Sequence, residues 1–183
     1  MKYLLILLAL FGPIQHIDDT LQTLVQDARQ PVLEKPMSTV SRIGRVLVFG
    51  GLLAVAAYDA AAGPATARLA IAALIPTNLA VEGLKRATFR ARPDGEHKRS
   101  NASFPSSHAA NAFAIAWVLG RRYRKWSWAL WGFAVVVAIS RVYLNRHYFS
   151  DILVGSIIGV VCAWGAARFL PWWAARNARQ EVA

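Results

Sequence analysis

SRVYLNRHYFSDILVGSIIGVVCAWGAARFL, residues 140–170, decides how the rest of the chain is read. From Ile152 to Leu170 the only charge is Arg168, and the run is close to the roughly 20 residues an α-helix needs to cross about 30 Å of hydrocarbon. Immediately before it stand Arg141, His147 and Asp151: a cation, an imidazole and a carboxylate at the mouth of a membrane span. Apolar run and polar cluster alternate along the whole chain. Further runs lie at 46–62, 66–84, 109–120 and 127–140, some slightly short, which tilt or local bilayer thinning absorbs. A sixth, KYLLILLALFGPI at 2–14, is read as a retained helix rather than a signal-peptide core, because no small-x-small cleavage site follows it. The expectation is an all-α, integral-membrane bundle of about six transmembrane helices, forming one domain over residues 1–183.

Between the first two runs, residues 16–42 are polar, with Leu21, Leu24 and Val25 at helical spacing. They read as a short amphipathic segment on the membrane surface, broken at Pro31 and Pro36, or as a solvated loop. Gly63-Pro64 marks a tight connection, and Pro76 and Asn78 fall in mid-span, where a kink leaves carbonyls for neighbours to satisfy. Gly155 and Gly159 form a G-x-x-x-G that permits close helix contact, with packing inside the bundle favoured over dimerisation. The lone cysteine, Cys162, excludes an intramolecular disulfide and reads as a small core residue.

The formal net charge is +11, but the cations are parcelled into loops between apolar runs. That distribution favours lipid head groups or phosphates over a nucleic-acid duplex, and no nucleic acid is expected as a partner. RRYRK at 121–125 contains no acid, and Arg168, Arg176 and Arg179 follow the last run, so the positive-inside rule places these segments in the cytoplasm. Residues 16–42, 85–106 and 141–150 then share the opposite face. That face also carries Lys85, Arg86, Arg90, Arg92, Lys98, Arg99, Arg141 and Arg146, a concentration the topology rule disfavours and function must explain.

Three clusters on that face carry the chemistry. In SFPSSH, 103–108, Pro105 and Ser106 suit the entry to a helix whose first amides and positive dipole end favour an anion, with His108 in the first turn. In SRVYLNRHYFSD, 140–151, Arg141 is either an anion ligand or a snorkelling anchor; His147 and Asp151, four apart, would share a helix face, the carboxylate fixing the imidazole tautomer. In KRATFRARP, 85–93, Lys85 and Arg92 would face the same way two turns apart on a helix that Pro93 stops. Each cluster alone has an ordinary explanation in capping, anchoring or a lipid-facing surface. Their combination does not.

In order and spacing, Lys85…Arg92-Pro93, Pro105-Ser106-Ser107-His108 and Ser140-Arg141…His147…Asp151 resemble the type-2 phosphatidic acid phosphatase superfamily, whose pattern is K-x6-R-P, P-S-G-H and S-R-x5-H-x3-D. Ser107 stands where the family usually has glycine; the backbone amide survives the change, while the close approach glycine allows does not follow automatically. The resemblance implies a lipid phosphate phosphatase with His147 as nucleophile, Asp151 orienting it and His108 protonating the leaving oxygen. Lys85, Arg92, Ser106, Ser107 and Arg141 would hold the phosphate, with neither metal nor cofactor. It further implies a multi-pass protein of a bacterial inner membrane, the site opening outward. Undecaprenyl diphosphate ranks first as substrate, ahead of phosphatidylglycerophosphate, phosphatidate and lipid A. A transporter or non-catalytic anionic-lipid binder is the reading from another class, and binding alone would need no His108, His147 and Asp151.

Overall fold

The computed structural model describes residues 2–58, 63–96 and 101–180, with side chains over 13–44, 46, 64–96 and 101–170. Six α-helices make up the described architecture: α1 (Lys2–Asp27), α2 (Pro31–Tyr58), α3 (Gly63–Thr88), α4 (Ser107–Arg122), α5 (Ser127–Tyr143) and α6 (Phe149–Gln180). A 3-10 turn, Arg124–Trp126, leads into α5. Three stretches among the described residues are long and apolar enough to cross a membrane: Pro64–Thr88, Arg124–Tyr143 and Phe149–Leu170. Residues 59–62, the end of the second apolar run, and Lys98 and Arg99 lie outside the described residues.

The shortest helix is the centre. α4 has 16 residues, about 24 Å at 1.5 Å per residue, and packs against α2, α3, α5 and α6. Ala109, Ala110, Ala112, Ala114 and Ala116 are all buried on it, and such small side chains let surrounding helices approach from several directions. The closest approach is to α6: a Cβ on Gly159 would lie 2.0 Å from the Ala110 carbonyl oxygen, and one on Gly155 2.5 Å from that of Ser106. The G-x-x-x-G therefore serves packing within the bundle. Outward faces are apolar, with Ile71, Ile75 and Leu79 on α3 and Leu153, Ile157 and Val161 on α6 exposed at helical spacing. A contiguous apolar belt of this kind suits lipid, not water.

One proline behaves differently from the sequence expectation. The 16–42 segment does break before Pro31, but Pro36 is accommodated inside α2. Nor is this segment a separate surface helix or a solvated loop. Its first half continues α1 without interruption, buries Asp18 and Gln22, and leaves Leu24 exposed. Pro76 also lies within a continuous α3, where Thr77 Oγ1 donates to the Ala73 carbonyl and Asn78 Nδ2 to that of Leu74.

Candidate active site

α3 ends, α4 begins, α5 ends and α6 begins at one end of the bundle, and the three polar clusters meet there. The α5–α6 link shows why the S-R-x5-H spacing works. Asn145 takes the left-handed conformation, φ 58°, which asparagine tolerates better than most residues. Its amide donates to the Val142 carbonyl, and that of Arg146 to Arg141, the paired bonds of a Schellman helix stop. The reversal brings the His147 amide over the same Arg141 carbonyl, at 3.2 Å. From α1, Gln22 and Gln26 donate to the remaining carbonyls of Val142 and Tyr143.

His147 precedes α6 rather than sharing a helix face with Asp151. Its Nδ1 lies 2.8 Å from the Ser103 carbonyl and 3.6 Å from Asp151 Oδ2. A carbonyl only accepts, so a neutral ring carries its proton on Nδ1 and its lone pair on Nε2. The expected tautomer is reached through the Ser103 carbonyl, with Asp151 one step behind. Asp151 Oδ2 accepts from Ser103 Oγ and from the Tyr148 amide, 2.9 Å, while Oδ1 accepts from Arg90 Nη1, 2.7 Å. In reaching back to the residue before α6 it also serves as the acidic half of a capping box. Burial pushes the His147 imidazole down from 6.5 to about 4, against the raising effect of Asp151; Arg141 and Arg92 add to the lowering. The ring is therefore neutral at ordinary pH.

The cations converge, by a different route from the expected one. α3 stops at Thr88, because Phe89 turns left-handed at φ 49°, so Arg92 sits on a loop and not two helical turns above Lys85. The loops 89–96 and 101–106 run together: the Ser103 amide donates to the Arg90 carbonyl, Lys85 Nζ to Ala102 and Arg92 Nε to Asn101. Lys85, Arg92 and Arg141 are all buried, which excludes snorkelling for Arg141; its Nη1 donates to Ser41 of α2, 2.6 Å.

Ser106 occupies the N-cap position of α4, but its side chain makes no capping bond, and Oγ is buried without a hydrogen-bond partner among the described residues. Ser107 begins the helix, and positive φ among described non-glycine residues is confined to Phe89 and Asn145. Glycine's conformational freedom is thus not needed at 107. His108 follows in the first turn, where helix amides point toward the site.

Sequence reasoning did not single out Ser103, Arg90 or Asp18 as site residues. Ser103 and Arg90 sat inside quoted clusters. Asp18 had a fainter signal, since Gln15, Asp18, Gln22 and Gln26 recur at steps of three and four and form one stripe on α1.

The bundle and its polar end define a multi-pass membrane protein with a cluster of buried cations near a buried histidine. The family model described as the PAP2 superfamily matches residues 66–175, more than half of the chain, and the chain belongs to that superfamily. It is 33% identical over 70 residues to the undecaprenyl-diphosphatase BcrC of Bacillus subtilis, a match covering 38% of this chain and 36% of that protein. It is 40% identical over 76 residues to the lipid A 1-phosphatase of Porphyromonas gingivalis, covering 39% of this chain and 16% of that one. These matches thus span about a third or less of each relative's own length. Among solved structures, Aquifex aeolicus LpxE superposes with a TM-score of 0.74 at 24% identity, covering 84% of this chain and 96% of that one. A transmembrane PAP2-type phosphatidylglycerolphosphate phosphatase from Bacillus subtilis gives 0.68 at 26%, covering 92% of both.

Proposed function

We propose that this protein hydrolyses a membrane lipid phosphate through a phosphohistidine, with undecaprenyl diphosphate ranked first as substrate and its site at the outer face of an inner membrane. The observation that carries the reading is the buried His147 whose Nδ1 is held at 2.8 Å by a carbonyl, which leaves the nucleophilic lone pair on Nε2. In the first step Nε2 bonds to the terminal phosphorus as its bond to the bridging oxygen breaks, the leaving group being the lipid monophosphate from a diphosphate or the lipid alcohol from a monoester, and His108 gives the departing oxygen its proton. Asp151 offsets the positive charge that develops on the imidazole. In the second step water gives His108 a proton and attacks phosphorus, releasing phosphate and neutral His147. Lys85, Arg92, Arg141, Ser106 and the amides beginning at Ser107 hold the phosphoryl oxygens as charge shifts between them. The unpartnered Ser106 Oγ supports this role.

Similarity to an undecaprenyl-diphosphatase and to a lipid A phosphatase supports a lipid phosphate as the substrate class. The basic α4–α5 connection at 121–125 supports the orientation. The test is phosphate release by detergent-purified protein from undecaprenyl diphosphate, phosphatidylglycerophosphate, phosphatidate and lipid A, beside His147→Ala. Turnover that vanishes in the variant is expected, and the rates rank the substrates. Binding without turnover across the panel would establish the lipid-binding or transport reading instead.

A further inference from the structure

We infer that Arg90 and Asp18 are positioning residues for His147, acting through Asp151, so that α1 is part of the active site. The inference rests on the phosphohistidine reading above and extends it to residues outside the matched sequence pattern. Arg90 lies at the centre of a fork. Nη1 donates to Asp151 Oδ1 at 2.7 Å and Ser150 Oγ at 2.8 Å; Nη2 donates to Asp18 Oδ2 and Gln15 Oε1, both at 2.7 Å. The Tyr148 ring lies across the guanidinium, 4.2 Å from its carbon to the ring centre. Both terminal nitrogens are thus committed to protein acceptors, which sets Arg90 apart from a phosphate ligand.

Asp18 closes the fork from α1. It is 2% exposed, accepts the Ser150 amide at 2.9 Å on Oδ1, and accepts Ser150 Oγ at 2.5 Å on Oδ2. A carboxylate so buried is tolerated only when paired and hydrogen-bonded. Its pairing fixes the start of α6, where Ser150 and Asp151 are neighbours. From there the chain of contacts is continuous: Arg90 sets the Asp151 carboxylate, Asp151 holds Ser103, and the Ser103 carbonyl holds His147 Nδ1.

A purely structural ion pair would anchor α1 and do no more. The two roles differ electrostatically, because Arg90 is shared between two carboxylates. Removing the Asp18 charge leaves Arg90 and Asp151 balanced and weakens the negative field that stabilises a positively charged imidazole. Removing Arg90 strengthens that field while freeing the Asp151 carboxylate to move. The other charged groups acting on the ring are Arg141 from α5 and Arg92 from the 89–96 loop, with Lys85 of α3 beside both of them, and both substitutions leave these intact.

The test compares full-length Asp18→Asn, Arg90→Gln, Arg90→Lys and His147→Ala, using whichever of the four lipid phosphates above turns over fastest. Asp18→Asn and Arg90→Gln are expected to lower kcat about 10- to 100-fold, the scale of a misplacement near 1 Å, with KM within about threefold of the parent. The acid limb of the rate profile should move to lower pH in Asp18→Asn and to higher pH in Arg90→Gln. Arg90→Lys should recover part of the rate, since a point charge reaches one carboxylate but cannot fork between two. If Arg90→Gln does not fold, Asp18→Asn, which keeps the side-chain shape, carries the comparison. Folded variants with parental kcat, or a change in KM alone, would overturn the inference while a dead His147→Ala left the phosphohistidine intact. Turnover retained by His147→Ala would overturn the mechanism beneath both.

Discussion

Replacing Gly159 by alanine tests whether the site depends on the α4–α6 contact, and its size can be worked out beforehand. The added carbon would lie 2.0 Å from the Ala110 carbonyl oxygen, 2.9 Å from its carbon and 3.0 Å from the Ala114 nitrogen. A carbon rests comfortably about 3.3 Å or more from a carbonyl oxygen, so the helices must part by roughly 1.3 Å. The obstacle is backbone and cannot rotate away. Overpacking of this severity belongs at the upper end of the usual range, about 3 kcal/mol, or a fall in Tm of roughly 6–12 °C for a chain of this length. Because α4 carries Ser106 and His108 while α6 carries Asp151, the same displacement should lower kcat/KM about 100-fold. Gly155→Ala meets the Ser106 carbonyl at 2.5 Å and should cost more activity relative to its loss of stability, since the strain falls on the site itself. Gly165→Ala is the internal control: nothing lies within 4 Å of its added carbon, and alanine is favoured over glycine inside a helix by roughly 0.5–1 kcal/mol. Thermal unfolding in detergent and phosphate release would be measured on all three. Gly159→Ala matching Gly165→Ala in both would refute the argument.

Acidity should act on stability through His147. Its folded value of about 4 lies below the ordinary 6.5, so between those limits the unfolded chain binds more protons and stability rises with pH. The contribution is fully present above pH 6.5 and is lost as pH falls toward 4, on the order of 3 kcal/mol in all. The check is the pH dependence of Tm in the parent against His147→Gln; equal slopes between pH 4 and 6.5 would remove the assignment. A separate expectation is independence from metal, motivated by cations rather than a carboxylate cluster at the proposed phosphate site. Activity should survive chelator, and a loss restored by magnesium would count against it.

The membrane bundle was legible because hydrocarbon imposes one rule on every span, and runs such as 152–170 obey it without reference to their neighbours. Local geometry was harder to read. His147 and Asp151 are four apart, which suggests a shared helix face, yet α6 begins only at Phe149 and the ring is held first by Ser103. Lys85 and Arg92 suggest two turns of helix, yet Phe89 ends the helix between them. Turn residues with left-handed φ that no periodicity announces bring the groups together, Phe89 between Lys85 and Arg92 and Asn145 between Arg141 and His147. The sequence indicated which residues meet better than it indicated how.

Asp18 was missed for another physical reason. A helix with polar and apolar stripes has no sign until its solvent is known. On an amphipathic helix lying at the membrane surface, Gln15, Asp18, Gln22 and Gln26 would face water and Leu24 would face lipid. In the structure the apolar side does face outward, with Ile17 and Leu24 58% and 60% exposed, but the polar stripe turns inward: Asp18 is buried against Arg90 and Ser150, and Gln22 against the end of α5. Such an arrangement is tolerable only where the outer environment is at least partly apolar and the interior supplies hydrogen-bond partners. The orphan carbonyls at the end of α5, the amide of Ser150 at the start of α6 and the guanidinium of Arg90 are those partners. The polarity of α1 therefore follows from what the end of α5, the start of α6 and Arg90 require, and this stripe ties the N-terminal helix to the polar end of the bundle.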